Sequence, residues 1–290
     1  MIRAIRRFVS TLHGRTRVFF FLAIMGVCVV ALLMGVYISF YYKYNETDPL
    51  MLGINVGSEK SAQELAALED EFNSLFENKL KSNGAPSVDL DKLEETKDLV
   101  YTGYKFDNTD ENYYAVKAQI PIINIDTEKA RELNQEIRSV FYEKANEVMR
   151  MGSDYTQYNV TYQAYLNNDV ISVVIKSTLK QGNNPEKVSV KTYNYNIPGK
   201  KQLTFLDVIE LKKTTQAEVQ SSINKKVKEA DTRSKIIAAE YGTMYERDLS
   251  DDMYKVQNTA NFFLTDEGNV YIVYAYGNNT YTNEMDVIVF

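Results

Sequence analysis

Beyond Cys28 the sequence has no cysteine, and beyond His13 it has no histidine. Nearly all of the chain therefore forms no internal disulfide. It also lacks the side chains that ordinary zinc sites and Ser-His-Asp or Cys-His nucleophiles require. Tryptophan is absent and proline occurs only five times. There is no Walker loop and no dinucleotide-binding glycine loop. The residues imply no cofactor, no metal and no catalytic group. Whatever folds here is stable through its core alone, which a chain of this length supplies.

Between Val18 and Tyr42 the missing element is charge: these 25 residues contain no Asp, Glu, Lys or Arg. As a helix they reach roughly 37 Å, enough to cross a hydrocarbon core of about 30 Å with some tilt. Arg3, Arg6, Arg7, Arg15 and Arg17 precede the run, while Lys43, Glu46 and Asp48 follow it. By the positive-inside rule, residues 1–17 form a basic cytoplasmic tail and the rest of the chain lies outside the cytoplasm. Tyr37, Tyr41, Tyr42 and Tyr44 suit the outer interface. The run is longer than a signal-peptide core and lacks a small-x-small exit, so the anchor is expected to stay. Cys28, in mid-span after a branched Val27, reads as a small apolar residue.

Residues 1–43 hold six basic and no acidic residues, leaving 27 Lys+Arg against 39 Asp+Glu and a net charge of −12 for the remainder. That balance disfavours nucleic acid, keeps an exported domain soluble and steers cationic partners toward it.

Residues 43–98 read as a juxtamembrane linker followed by a helix. Ser61-Ala-Gln-Glu64 is a capping box, Leu65, Leu68, Phe72, Leu75 and Phe76 follow at helical spacing, and Asn83-Gly84 is the expected stop. Tyr113–Ile122 reads as a strand. Asp126 or Thr127 caps a helix with Ala130, Leu133, Ile137, Phe141 and Val148 along one face and Gly152 at its exit. Strands follow at Tyr158–Leu166, Val170–Leu179 and Val188–Ile197, the first two joined by Asn167-Asn168-Asp169. Thr215-Gln-Ala-Glu218 caps a helix running toward Glu229, and Ser234–Glu246 reads as another. Strands at Asn261–Leu264, Val270–Tyr276 and Glu284–Phe290 close the chain. The fold class is α+β: antiparallel hairpins with segregated helices behind a single transmembrane helix.

Particular stretches resemble a known family. Ile120-Pro-Ile-Ile-Asn-Ile-Asp-Thr-Glu-Lys-Ala-Arg-Glu-Leu-Asn-Gln-Glu-Ile137 is similar to the opening strand and Asn-x-x-Ile helix of the RsiV-like extracytoplasmic domain family. Ile171–Ile175, Tyr193–Ile197 with Gly199 and Leu203–Ile209, Phe262–Gly268 and Asp286–Phe290 resemble its later strands in the same order. The likeness covers residues 99–290. That family includes the ectodomains of anti-sigma factors and the N-terminal part of some peptidoglycan deacetylases. The resemblance implies a bacterial envelope domain that recognises a wall glycan or an exported, lysozyme-like protein. Two departures stand out. The family's Gly-His loop is replaced by Gln181-Gly-Asn-Asn-Pro-Glu-Lys187, and the 17 cytoplasmic residues are too few for a sigma-binding segment.

Two carboxylates could support glycoside hydrolysis, but sequence does not pair any two. Asp107, Asp110 and Glu111, or Asp248, Asp251 and Asp252, are oxygen clusters without EF-hand spacing and read as solvated loop charge. Tyrosine is abundant, with 22 copies. Rings on Tyr155, Tyr158, Tyr162, Tyr165, Tyr193, Tyr195, Tyr271, Tyr274 and Tyr276 suit a half-buried sheet, or an exposed face that binds glycan or protein. The expected ligand-binding residues are Gln181 and Asn183, in the loop that departs from the family, with Tyr193 and Tyr195 beside it. The expected function is a non-enzymatic, membrane-anchored binding module. An anti-sigma-like transmembrane regulator and a carboxylate-only wall hydrolase are the alternatives. Nothing in the sequence sets the oligomeric state.

Overall fold

The computed structural model describes residues 70–150, 154–241, 246–277 and 285–290, all within one compact unit, Ser58–Phe290. The expected anchor at 18–42, the basic tail, the capping box at 61–64 and Gly152 lie outside them. Among the described residues no helix is long and apolar enough to cross a membrane.

Strand β1 (Leu80–Ser82) and strand β2 (Val100–Asp110) precede β3 (Tyr114–Ile123). Thr127 then caps helix α1 (Glu128–Ile137), accepting from the Ala130 amide at 3.3 Å. A π-helical turn, Arg138–Tyr142, leads into α2 (Glu143–Arg150). Ala130, Leu133, Ile137, Phe141 and Val148 are all buried, as the helical spacing predicts. Strands β4 (Thr156–Asn167), β5 (Val170–Gln181), β6 (Lys187–Asn196) and β7 (Lys201–Gln202) follow. Asn168 takes the left-handed conformation (φ 50°) that the tight β4–β5 turn needs. Helices α3 (Phe205–Leu211) and α4 (Gln216–Tyr241) come next, then short 3-10 turns at Asp252–Tyr254 and Val256–Asn258. Strands β8 (Phe262–Leu264), β9 (Val270–Ala275) and β10 (Met285–Val289) close the chain.

Seven strands form one sheet in the order β2-β3-β4-β5-β6-β7, with β1 on β4, and β10-β9-β8 form a second. The α+β class holds, but the large sheet is mixed rather than purely antiparallel. Helices α1 and α2 cross between β3 and β4, which run parallel, and β1 is also parallel to β4. The molecule is built in four layers. Tyr158, Tyr162, Ile171, Val173, Tyr193 and Tyr195 face α1 and α2. Tyr165, Val174 and Val190 face the small sheet through Phe263, Tyr271 and Val273. The small sheet's other side, with Phe262, Ile272, Tyr274 and Ile288, covers α3 and α4 through Val208, Val219 and Ile223. Strands β5 and β6 are thus buried on both faces in their central stretches.

That arrangement creates a hydrogen-bonding demand. β8 pairs with β9 on one side only, and its other edge meets the face of the large sheet. Three buried side chains there complete it. Thr192 Oγ1 accepts from the Phe262 amide at 3.0 Å, and Asn194 Nδ2 donates to the Phe262 carbonyl at 2.8 Å. Ser172 Oγ accepts from the Leu264 amide at 3.1 Å and donates to Asn194 Oδ1 at 2.7 Å. Asn134, of the Asn-x-x-Ile stretch, does the same for β3. It accepts from the Ile123 amide and donates to the Ile123 carbonyl, both at 2.8 Å.

Three elements differ from the sequence reading. The helix expected to reach Asn83-Gly84 ends near residue 74, and β1 takes its place. Phe72 is buried between the sheets, Asn78 pairs with Tyr162, and Gln163 pairs with Glu77 and Lys79. Residues 70–98 thus pack on the same sheet as the rest, and the expected boundary at 99 falls inside that packing. The helices expected at 215–229 and 234–246 are one helix, because no proline or glycine interrupts Gln216–Tyr241. Strand β2 was hidden by its composition: Gly103 and the polar run Asp107–Asp110 suit an exposed edge rather than a buried strand. Gly103 sits at a register shift against β3, and a Cβ there would lie 2.2 Å from Ile122 Cδ1.

Two outcomes follow. Asn194→Ala should cost about 1–3 kcal/mol in denaturant unfolding, because it strands the buried Phe262 carbonyl and Ser172 hydroxyl. A 99–290 fragment should melt well below a 58–290 fragment, since it loses β1 and a buried phenylalanine worth roughly 3 kcal/mol.

Candidate functional site

Tyr193 and Tyr195 are 2% and 0% exposed, so neither ring is available to a ligand. Both lie under α1, where Tyr195 shares a 2.8 Å hydroxyl contact with the helix-capping Thr127. Burial, with the Glu136 carboxylate adding to it, pushes the Tyr193 hydroxyl well above its ordinary pKa. Gln181 ends β5 and Asn183 is exposed in the hairpin beyond it. Tyr193 pairs with Val173, eight residues back along β5 from Gln181. At strand rise that is about 27 Å, so the four residues do not form one site. The expectation of Tyr193 and Tyr195 as ligand contacts is corrected: their period-two spacing reports the helix-facing core. Tyr158, Tyr162, Tyr165, Tyr271, Tyr274 and Tyr276 are buried as well.

The acidic clusters have local employment. Asp110 accepts from the Asn112 amide, Asp248 from Ser250 and Asp251 from the Met253 amide, while Asp252 pairs with Lys255 at 2.6 Å. Among the described residues no group of His, Cys, Asp and Glu is placed to hold a metal ion.

Among the described residues one ion pair is buried at both partners. Arg247 grips Asp286 with Nε at 2.9 Å and Nη2 at 2.7 Å, donates from Nη1 to Ser234 at 2.5 Å, and lies 4.1 Å from the centre of the Tyr276 ring. Burial opposes the guanidinium charge and the carboxylate outweighs it, so the Arg247 pKa stands raised. Arg247, beyond the end of α4, ties Ser234 of that helix to Asp286 of β10. The carboxylate is engaged at both oxygens, which fits a structural tie.

A groove of about 660 Å³ opens at the β7 edge of the large sheet. Leu203, Phe205, Val256 and Phe262 make an apolar floor, and Lys129, Lys200, Lys201, Gln202, Thr204 and Gln257 stand around it. The chain reaches this edge by a turn at Pro198-Gly199 in which Lys200 adopts φ 49°. Thr204 and Asp207 then form a reciprocal capping box that starts α3. Lys201 Nζ meets Asp207 at 2.6 Å, and with the Thr204 contacts this holds the Asp207 carboxyl near pKa 2. Lys129 pairs with Glu132, whereas Lys200 has no ion pair among the described residues.

Backbone also contributes. The Leu203 amide bonds the Asn194 carbonyl at 2.8 Å, and Gln202 lies opposite Tyr195. Antiparallel alternation therefore turns the Gln202 N–H and C=O away from β6, toward the groove. Among the described residues nothing pairs with them. The groove thus offers an apolar floor, one uncommitted cation, an amide donor and an amide acceptor. It can hold an extended, partly apolar ligand with amide and anionic groups. The sequence signal for it was the Gly199–Leu203 stretch, which reads as a strand-to-helix junction and not as a site.

No known family profile matches this chain, and no curated protein matches it. Six solved chains match in structure. One is a crystal structure of a DUF3298 family protein from Pseudomonas aeruginosa PAO1, 15% identical, with a TM-score of 0.39 over 62% of this chain and 83% of that one. Another is a DUF3298 family member from Bacteroides fragilis, 13% identical, with a TM-score of 0.37 over 61% of this chain and 80% of that one. The chain's structural neighbours are thus DUF3298 family proteins.

Proposed function

We propose that this protein is a membrane-anchored, extracytoplasmic binding module of the bacterial cell envelope, and that it takes a segment of wall glycan in the β7 groove. The observation that carries the reading is the pairing of an apolar floor with Lys200 and the outward Gln202 peptide groups. N-acetylated sugars present an apolar ring face and an amide that both donates and accepts. Lactyl and peptide carboxylates supply the charge that Lys200 would meet. The domain's overall −12 opposes an anionic ligand at long range, but screening over about 8 Å leaves the local cation in control. The anchor rests on the uncharged run at 18–42 behind an arginine cluster. The resemblance to RsiV-like domains agrees with an envelope location.

The −12 charge supports a second reading, a cationic exported protein as partner. The two separate by salt and by mutation. Protein binding steered by the whole domain should weaken steeply with salt and ignore the groove. Glycan binding should depend on the groove and change less with salt.

Calorimetry of the full chain in detergent with soluble muropeptides should give a saturable isotherm. Gln202→Pro removes an amide hydrogen that faces the groove and not the sheet ladder, so it should leave the melting temperature nearly unchanged. It and Lys200→Glu should each weaken binding by about tenfold, the equivalent of one good polar contact. Unchanged affinity in both variants would remove the groove from the function. Protease added to intact protoplasts should digest residues 44–290 and leave an anchored N-terminal stub. Protection of the C-terminal domain would reverse the topology.

A further inference from the structure

The opposite edge of the large sheet is a different kind of surface. Strand β2 is eleven residues long and pairs only with β3. Among the described residues, no hydrogen bond outside that ladder reaches the backbone of Tyr101–Thr109. Every second residue there turns an unpaired N–H and C=O outward. Long edges of this kind are normally blunted, because they recruit other strands. Here the register shift at Gly103 disturbs the first part, but pairing from Tyr104 to Asp110 runs without interruption.

The side chains along this stretch sort by face. Lys105, Asp107 and Thr109 are exposed on one side, and neither Lys105 nor Asp107 makes an ion pair among the described residues. On the other side Tyr104 and Phe106 are half-buried against Tyr142, with ring centres 4.6 and 5.4 Å away. Phe106 thus stands at the sheet margin with one flank covered by Tyr142.

We infer that two copies of this chain associate through β2, edge to edge and antiparallel, about a two-fold axis through Phe106. The argument is one of register. An antiparallel strand pairing with itself about residue i sets residue j opposite residue 2i − j. Axes between residues would oppose side chains from different faces, which a continuous pleat forbids. An axis through Lys105 sets lysine against lysine, and one through Asp107 sets aspartate against aspartate. Only the axis through Phe106 places Lys105 opposite Asp107 of the second copy, twice by symmetry. The same axis puts Phe106 opposite Phe106 and Tyr104 opposite Asn108. Opposite charges and aromatic pairs directly across a ladder stabilise it, and like charges there destabilise it. The charges that blunt this edge toward other strands are therefore complementary toward itself. The contact is isologous and closed, so it yields a dimer and not a fibre. The two β2 edges vanish into one continuous sheet, while both β7 grooves remain at its far ends.

The test is a charge swap read by sedimentation equilibrium on the full chain in density-matched detergent. Wild type should show a reversible monomer–dimer equilibrium. Lys105→Asp alone and Asp107→Lys alone each replace two attractive pairs by two repulsive ones, and each should weaken the dimer by about tenfold or more. The double variant K105D/D107K recreates both pairs with reversed sign and should restore wild-type association. Both positions are exposed, so K105D should melt like wild type, whereas D107K faces Lys117 on β3 and should lower the melt slightly, to the same extent in the single and the double variant. Hydrogen exchange should show amides within 104–108 gaining protection as wild-type concentration rises. A monomer at every accessible concentration would overturn the inference. So would a dimer indifferent to the single swaps, or a double variant that folds normally and fails to recover association.

Discussion

Buried backbone must be hydrogen-bonded, and in this fold it is often bonded by side-chain amides and hydroxyls standing in for a neighbouring strand. The tie through Thr192, Ser172 and Asn194 is the one on which the layering depends. Without it the inner edge of β8 would be buried and unpaired, and the small sheet could not rest face-on against β5 and β6. Asn134 fastens α1 to the end of β3 by the same means, and Asn78 and Gln163 fasten the segment before β1 to β4. Asn124, fully buried, holds Glu94, Lys97 and Asp98. These contacts stand in for ladder bonds where a neighbouring strand is missing. Each also fixes position more narrowly than apolar packing does, because an amide has defined donor and acceptor directions.

This construction leaves little room for a site on the sheet faces. Helices cover one side of β4, β5 and β6, and the small sheet covers the other, so the rings that populate these strands are spent on packing. What stays open is the periphery. At β7 a two-residue strand ends the sheet, and the turn before it brings Lys200 to the rim of a groove floored by Phe205 and Phe262. At β2 a long strand ends it, with complementary charges two residues apart. The two edges differ in kind. One is short, concave and adjoined by helix α3, which suits a small extended ligand. The other is long and straight, which suits another strand.

The stretches Ile120–Ile137, Tyr193–Ile197 with Gly199, and Leu203–Ile209 have physical explanations in the fold. Asn134 serves a strand end that needs its amide, and Gly199 sits in a tight turn where a Cβ would approach the Asn196 side chain at 2.6 Å. Leu203–Ile209 couples the last strand to a capped helix. These are requirements of folding. They carry no information about ligand chemistry.

Sequence by itself determined the local elements: the Thr127 and Thr215 caps, the period-two strands and the Asn168 turn depend on neighbours in the chain and were legible there. It also determined the partition of charge and the absence of histidine and cysteine chemistry outside the N-terminus. It did not disclose β1, whose partner β4 lies far along the chain, or β2, whose polar residues and glycine suit an edge. Nor did it assign Tyr193 and Tyr195 to the core, because alternation says that two rings share a face but not which layer covers that face. Only tertiary structure decided that α1 lies over those rings, that Asn194 serves β8, and that Lys200 and the Gln202 peptide meet Phe262 across a groove. Those decisions rest on contacts between residues some 60 to 70 positions apart, where burial on both faces of one sheet overrides local propensity.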